Sequence, residues 1–429
     1  MNLLILLSFL ATRSSKPKKT GAREDFEGRR LFAGIPKNSV SFELSPNATR
    51  VMKFFLFLAI LASRICINSI INSLNVKKVG IVGCGPAGLM LAASLKRLNC
   101  GVEEIFLFDK RSDILNIGGG GLQISGGSMV MQKIGLLDEI INIGHPLHNV
   151  LARNSKGDVL LNLDIKKLVT TKAKEELCVN DKPVIFSIMR NALQSILYNA
   201  VKSGDCEDCK VKIITNAKCK NVVEADNKVS LEFDNNEKYN NFDMIFGTDG
   251  VNSIIRSFSS CGDQKYFTLP KAVKADDMFT GIRITYCISG VDNDFSLRPN
   301  GESTFNQFFG DGLYVLAASY GGKNGIQHML AIVYYDGSSN DLSVNPDWIA
   351  SKNPKEIALN RLVSAGLGNN HEIINLLNGC DENSFIDLAV TDETIPLKSW
   401  SSDSNRIILA GDAAHPMVTR SLTYPSFSH

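Results

Sequence analysis

The 429-residue sequence is short of most features that would reveal a function directly. Its charge is nearly balanced, 46 Lys and Arg against 44 Asp and Glu, for a formal net of +2. That leaves no basic field for nucleic acid. Ten cysteines are scattered without a disulfide or zinc rhythm. The one CxxC, Cys206-Glu207-Asp208-Cys209, sits in polar SGDCEDCKVK with no second pair, so it reads as a surface loop, and no metal site is expected. Most of the other cysteines read as small buried hydrophobes. No internal repeat is visible, and no nucleophile constellation stands out. No apolar stretch reaches the ~20 uninterrupted residues that span a bilayer. What remains is an ordinary globular composition, 44% hydrophobic and 21% charged, in a chain long enough for two domains or one large one with a substantial core.

Residues 1–75 read as a leader outside the fold. A short apolar run over residues 3–11 is followed by a basic, Ser-containing stretch, Thr12 to Arg50. Met52-Lys53 then precedes the apolar Phe54 to Ser63. A methionine, a cation, an apolar core and small residues are how a signal peptide begins, which marks Met52 as a candidate start. Arg64, Asn68 and Asn72 interrupt the apolar residues after Ser63, so a signal or weak signal-anchor is preferred to a stable span. A bipartite organelle-targeting leader is the alternative. Location in the secretory or endomembrane system, or in an organelle, with some membrane association, is therefore expected; without the leader's action the chain is cytoplasmic.

The chain is organised around Lys77 to Arg111, KKVGIVGCGPAGLMLAASLKRLNCGVEEIFLFDKR. The apolar run Val79 to Val82 ends in Gly83-Cys84-Gly85-Pro86-Ala87-Gly88. A helical pattern with Leu91, Leu95 and Leu98 comes next, then a second apolar run, Ile105 to Phe108, which stops at Asp109. Strand, glycine turn, helix, strand and acid is the order of a dinucleotide-binding βαβ unit. Gly83 permits a tight exit, Gly85 leaves no Cβ before a pyrophosphate, Gly88 lets helix and strand close up, and Pro86 suits a first helical turn. The helix N-terminus offers N–H groups and a partial positive charge to phosphates. Asp109 is placed to accept hydrogen bonds from a ribose.

Two later stretches repeat the theme of a buried strand ending in acid and glycine. Asp243 to Gly247 leads to Thr248-Asp249-Gly250 and a helix with Ser253 and Arg256; Arg406 to Ala410 leads to Gly411-Asp412-Ala413-Ala414-His415-Pro416. Such groups at strand C-termini sit where open α/β sheets bind ligands. Asp249 taken alone reads equally well as a helix cap. His415 reads as a packed or capping residue rather than a catalytic one. Between the stretches, the glycine-rich Gly118 to Gly127 implies close backbone approach or positive φ. His148 to Leu163 reads as a hairpin, and Arg190 opens a helix. Runs at Gly281–Ile288, Thr304–Phe309, Leu313–Tyr320 and His328–Tyr335 suit a largely antiparallel sheet over a ligand face. Helical patterns come after them at Pro354–Ala365 and His371–Leu377. Arg283 and Tyr286 either point into that pocket or are ordinary strand surface.

In this order the three stretches resemble the flavoprotein monooxygenases of the para-hydroxybenzoate hydroxylase type, the group of salicylate hydroxylase, kynurenine monooxygenase and zeaxanthin epoxidase. The match runs over about residues 77–416. The resemblance implies an α/β fold: a glutathione-reductase-type, FAD-binding Rossmann domain with an inserted antiparallel β-sheet substrate domain. The FAD-binding part would take residues 76–145, 184–260 and 400–429, and the substrate region 146–183 and 261–399. It implies that Gly83, Gly85, Pro86, Ala87 and Gly88 bind the FAD at its pyrophosphate turn, that Asp109 holds the adenosine ribose, and that Lys110 and Arg111, the latter matching a basic residue after that acid, are also cofactor-binding. Arg190 would face the FAD, Gly121 would be cofactor-binding, Asp249 and Gly250 would serve FAD and NAD(P)H, and Gly411, Asp412 and Ala413 would surround the ribityl chain. The implied reaction has NAD(P)H reduce the flavin, O2 add to give a hydroperoxide, and one oxygen atom pass to a small organic substrate. No catalytic side chain is singled out. A flavin-dependent reductase or dehydrogenase of the same fold, and a non-catalytic flavin-fold remnant, are the alternatives. The family continues after His415-Pro416 with a glycine-rich turn and a long helix, whereas Met417 to His429 has no glycine and no helical period. A truncated reading frame, with impaired flavin binding, is the expectation there.

Overall fold

A computed structural model describes residues 75–115, 119–204, 208–259, 279–290, 302–336, 353–391, 397 and 399–416. The leader up to residue 74, Gly118, Cys206 and the chain after Pro416 lie outside the described residues. Strand Lys78–Val82, helix Pro86–Arg97 and strand Glu104–Phe108 form the βαβ unit. They belong to a five-stranded, wholly parallel sheet ordered Lys210–Ile214, Glu104–Phe108, Lys78–Val82, Met244–Gly247, Ile407–Leu409.

A parallel sheet needs cover on both faces, and alternation along Glu104–Phe108 shows how it is met. Ile105 and Leu107 point into the core shared with helices Pro86–Arg97 and Arg190–Lys202. Phe106 and Phe108 point the other way, against a three-stranded antiparallel sheet of Cys219–Ala225, Lys228–Phe233 and Lys238–Phe242. Phe108 packs 4.6 Å from Phe233 and 4.9 Å from Tyr239, ring centre to ring centre, distances at which aromatic pairs attract. Of the seven described cysteines, six are buried, as small apolar side chains are.

The second body is a large mixed sheet. Its main path runs Ile386–Thr391, Phe279–Ser289, Gly325–Tyr335, Leu313–Gly322, Thr304–Phe309, Asn149–Asn154, Val159–Asp164. Neighbours along it are antiparallel except Thr304–Phe309 beside Asn149–Asn154. The hairpin expected around Asn154 to Asp158 is present, with the Asn154 side chain accepting from Lys156 and Asp158 N–H groups. Strands Gly121–Ile124 and Phe186–Met189 fall in residues assigned on sequence to the nucleotide-binding part. They pair with each other, and Ile188 of the second meets Gly321 of the large sheet.

Register tells which side chains share a face. Cys287, Leu330 and Ala317 lie in one row, and Ile332, Val315 and Phe308 are directly opposite one another in the next. Both rows pack on helices Pro354–Ser364 and His371–Asn378 through Leu362, Ile373 and Leu376. The opposite face carries the row Tyr286, Ala331, Leu316, Gln307 and the row Met329, Ala318. Tyr286, Met329 and Ala318 join the core of the βαβ unit, so one apolar cluster runs between the two bodies. Among the described residues no helix is long and apolar enough to cross a membrane, and no group of three or more His, Cys, Asp or Glu could hold a metal ion.

Candidate functional site

Three parallel strands end together, and their exit loops interlock. Val82 lies level with Phe108 and with Gly247. Thr248 N–H donates to the Val82 carbonyl at 2.8 Å, and its hydroxyl lies 2.9 and 2.8 Å from the Val82 and Gly83 carbonyls. Ala410 N–H donates to the Gly247 carbonyl at 2.9 Å. Gly83 has φ +104°, and a Cβ there would lie 2.4 Å from the Thr248 carbonyl oxygen. Only glycine combines that φ with that approach. A Cβ on Gly88 would lie 2.0 Å from the Gly83 carbonyl oxygen, so helix and strand are in direct contact. Gly411 completes the ring: its Cβ position is 2.9 Å from Ala87 Cβ. Residues from three parts of the sequence thus meet at one sheet edge.

In front of this edge the backbone is open. A Cβ on Gly85 or on Gly250 would touch nothing within 4 Å. The helix begins at Pro86, and its first backbone bond runs from Leu89 N–H to the Gly85 carbonyl, which leaves the N–H groups of Ala87 and Gly88 ahead of the intrahelical ladder. A space without side chains before a helix N-terminus fits a pyrophosphate.

Asp109 is buried at the end of its strand, and both carboxylate oxygens are engaged. One accepts from Cys84 N–H at 2.8 Å and Arg111 Nη2 at 2.9 Å, the other from Arg111 N–H at 2.9 Å and Arg111 Nε at 2.8 Å. Four donors fill the accepting positions of a carboxylate. For Asp109 to accept a ribose hydroxyl, one Arg111 contact has to give way. Burial alone would raise the Asp109 pKa; the bonds from Arg111 and Cys84 outweigh it and hold the carboxyl below its ordinary value. Asp109 therefore contributes stability above the unfolded carboxylate pKa, and that stability is lost as pH falls through the lower folded value. Asp109→Asn is expected to cost about 1–3 kcal/mol at pH 7, with the gap from wild type closing as urea midpoints are followed down to about pH 3. A gap that stays constant with pH would refute the role of the charge. Lys110 is exposed and makes no bond to this network.

Asp249 does what its capping reading required. Its oxygens accept from Ser253 Oγ at 2.5 Å and Ile254 N–H at 2.7 Å, at the start of helix Ile254–Ser259. Burial raises its pKa, against those bonds. Asp412 is exposed and Ala413 buried, in the short 3-10 turn Gly411–Ala413 beside Ala87. His415 lies 4.9 Å from the Trp400 ring, a packed histidine. Gly121 stands apart from this edge. Its N–H lies 3.2 Å from Met329 Sδ, and a Cβ would strike the Tyr320 ring at 2.0 Å. Arg190 lies between the two regions: its N–H donates to the Gly120 carbonyl, and its side chain packs under Gly119.

One residue was beyond reach of motif reading. Gln194, one turn after Arg190 and fully buried, donates from Nε2 to the carbonyls of Cys84 and Ile114, both at 2.9 Å. It pins the glycine turn from behind, and nothing in a single sequence marks a helical glutamine as more than surface. Arg283 and Tyr286 separate cleanly. Arg283 faces the helices, its Nε donating to Asp387 at 2.7 Å, with the two side chains 1% and 0% exposed. Tyr286 faces the glycine-rich segment, near Gly120.

Comparison with known proteins agrees with this geometry. Residues 77–264 match the family model described as FAD binding domain. The 3-amino-4-hydroxybenzoate 2-monooxygenase of Streptomyces platensis is 25% identical over 350 residues, covering 80% of this chain and 74% of that protein. Among solved structures, Klebsiella pneumoniae HpxO complexed with FAD and uric acid superposes with TM-score 0.57 at 14% identity, covering 79% of this chain and 74% of that one. CtdE in complex with FAD and substrate gives 0.58 at 18% identity, covering 79% and 75%. The structural likenesses carry the fold.

Proposed function

We propose, from the premise that the chain is an FAD-dependent oxidoreductase of the monooxygenase group, that it uses NAD(P)H and O2 to hydroxylate or epoxidise a small organic substrate. The observation that carries the reading is the open, side-chain-free space at Gly85, ringed by Gly83, Thr248 and Gly411 from three strand ends. Ala87 and Gly88 would hold the FAD pyrophosphate with their N–H groups, and Asp109 with Arg111 would hold the ribose. Bound FAD would supply the redox chemistry, accepting electrons from NAD(P)H and activating dioxygen.

The rest falls to this chain's residues. Arg190, placed between the glycine turn and the large sheet, holds a positive charge where the two bodies meet. The face bearing Tyr286, Met329 and Ala318 is apolar, which suits holding an organic substrate and excluding water. Cys84 in the turn is no nucleophile, since burial, first, and the Asp109 charge push its thiol pKa far up. NAD(P)H would be used transiently, because the chain carries a single glycine turn of this kind.

Purified full chain is expected to carry FAD, to oxidise NADPH or NADH, and to consume O2 in step when a substrate is present. Flavin reduction without O2 uptake into product would favour a reductase instead. A colourless protein that takes up no added FAD would sink the reading.

A further inference from the structure

The large sheet places one unusual side chain on the face toward the glycine-rich segment. Gln307 is 0% exposed in strand Thr304–Phe309, and neither its Oε1 nor its Nε2 has a hydrogen-bond partner. The other buried glutamines differ: Gln194 places Nε2 on two carbonyls, and Gln123 places its own 3.0 Å from the Tyr320 hydroxyl. Native folds hold few buried polar groups without partners, and one unmet at both ends asks for an explanation. Unmade bonds in the protein are bonds that a bound molecule can make.

Its position says which molecule. Gln307 lies opposite Leu316, Leu316 opposite Ala331, and Ala331 opposite Tyr286, so the four share a face. The next row on that face holds Ala318 and Met329, and Met329 Sδ meets Gly121 N–H. The other unmet polar atoms of the sheet, Arg153 Nε, Arg283 Nη1 and Ser289 Oγ, lie in rows on the opposite, helix-covered face. Gln307 is thus the one unmet polar side chain, among the described residues, on an apolar and aromatic wall. An amide offers a donor and an acceptor about two ångströms apart in one plane, so its complement is a group with acceptor and donor side by side.

We infer that Gln307 sets the substrate specificity of this chain, and that the substrate is a planar, largely apolar molecule bearing an adjacent donor and acceptor, as in a carboxamide or lactam. The inference rests on the proposed function for its meaning as substrate recognition. The amide Nε2 donates to the substrate carbonyl, and Oε1 accepts its N–H. A hydrocarbon of the same shape leaves both atoms unmet and is rejected.

The test compares wild type with Gln307→Met, which keeps length and removes the amide, with the flavin content of each measured by absorbance. Benzamide and 2-pyridone are the probes, and ethylbenzene the apolar control, titrated calorimetrically. Ligand-free Gln307→Met is expected to melt at or above the wild-type temperature, because an unmet buried amide has been removed. The amide probes are expected to bind wild type and to lose about tenfold or more in affinity for the variant, while ethylbenzene is unchanged or improved. A variant that melts several degrees below wild type would show that the amide has a structural partner and overturn the inference. So would amide probes that bind both proteins equally or neither. Flavin content keeps the two readings apart: full FAD loading with indifferent amide probes defeats this inference alone, while failure to take FAD defeats the proposed function and leaves the melting comparison to decide on Gln307.

Discussion

Gly88→Ala is expected to give a protein that is strongly destabilised and holds no FAD. The added Cβ would sit 2.0 Å from the Gly83 carbonyl oxygen and 2.7 Å from Thr248 Oγ. Neither atom is the loose end of a flexible side chain. The Gly83 carbonyl ends the central strand, and the Thr248 hydroxyl is tied to the Val82 and Gly83 carbonyls. Helix and strand must separate, at a cost of about 1–3 kcal/mol for the overpacking and about 1 kcal/mol more for each bond broken. Against a typical stability of about 5–15 kcal/mol, that is a large share. Gly85→Ala is the informative partner. Its Cβ meets nothing, so melting should be unchanged, while FAD affinity falls because the methyl occupies the open space. Melting curves and flavin absorbance on the two variants check this; Gly88→Ala with wild-type melting and full flavin would refute the close packing.

Asp387→Ala should be the most destabilising change in the large sheet, about 3–5 kcal/mol. Asp387 accepts from Arg283 Nε at 2.7 Å, Thr285 Oγ at 2.8 Å and Tyr334 Oη at 2.9 Å, with the Arg283 and Asp387 side chains buried. Removing the carboxylate leaves a guanidinium charge inside the protein without its counter-ion, together with two hydroxyls lacking their acceptor. The double change Arg283→Met with Asp387→Leu should recover most of the loss, since well-packed apolar groups can replace a buried pair. Urea unfolding midpoints measure both. A single variant within about 1 kcal/mol of wild type would mean that the cluster relaxes to admit water.

Much of the candidate site at the glycine turn was legible because its residues are constrained locally. A glycine that must adopt φ +104° against a neighbouring carbonyl leaves the same trace in any sequence, and so do the strand and helix periods around it. The edge strands were less legible. Ile386–Thr391 escaped notice because Asp387 breaks the apolar pattern, and its charge makes sense only once Arg283 is beside it. Helix Ile165–Lys172 is rich in β-branched residues and is started by Asp164, which accepts from Lys167 N–H at 2.7 Å. Its signal is a cap rather than a period. Arg283 and Tyr286 looked alike in GIRITYCISG, three residues apart; an odd separation along a strand puts them on opposite faces, and only the register says which face is which. Gln194 and Gln307 have no sequence signal at all, because their roles depend on what the rest of the chain brings to them.

The parallel sheet draws its five strands from residues 78 to 409, with Lys78–Val82 at its centre and Ile407–Leu409 at one edge. A ribosome delivers those strands in a different order from the one in which they pair. The central strand emerges early, and one flank waits for Met244–Gly247 while the outermost place on that side waits for Ile407–Leu409, some 325 residues later by the numbering. The glycine turn is therefore made long before Gly411 can reach Ala87. During that interval the apolar flank of the central strand stays open, and pairings this distant in sequence close slowly. Protection by chaperones is needed most in this interval, and a pulse of protease on ribosome-bound chains of increasing length, extended past His429 by a flexible linker, should find the turn resistant only after residue 411 has cleared the exit tunnel.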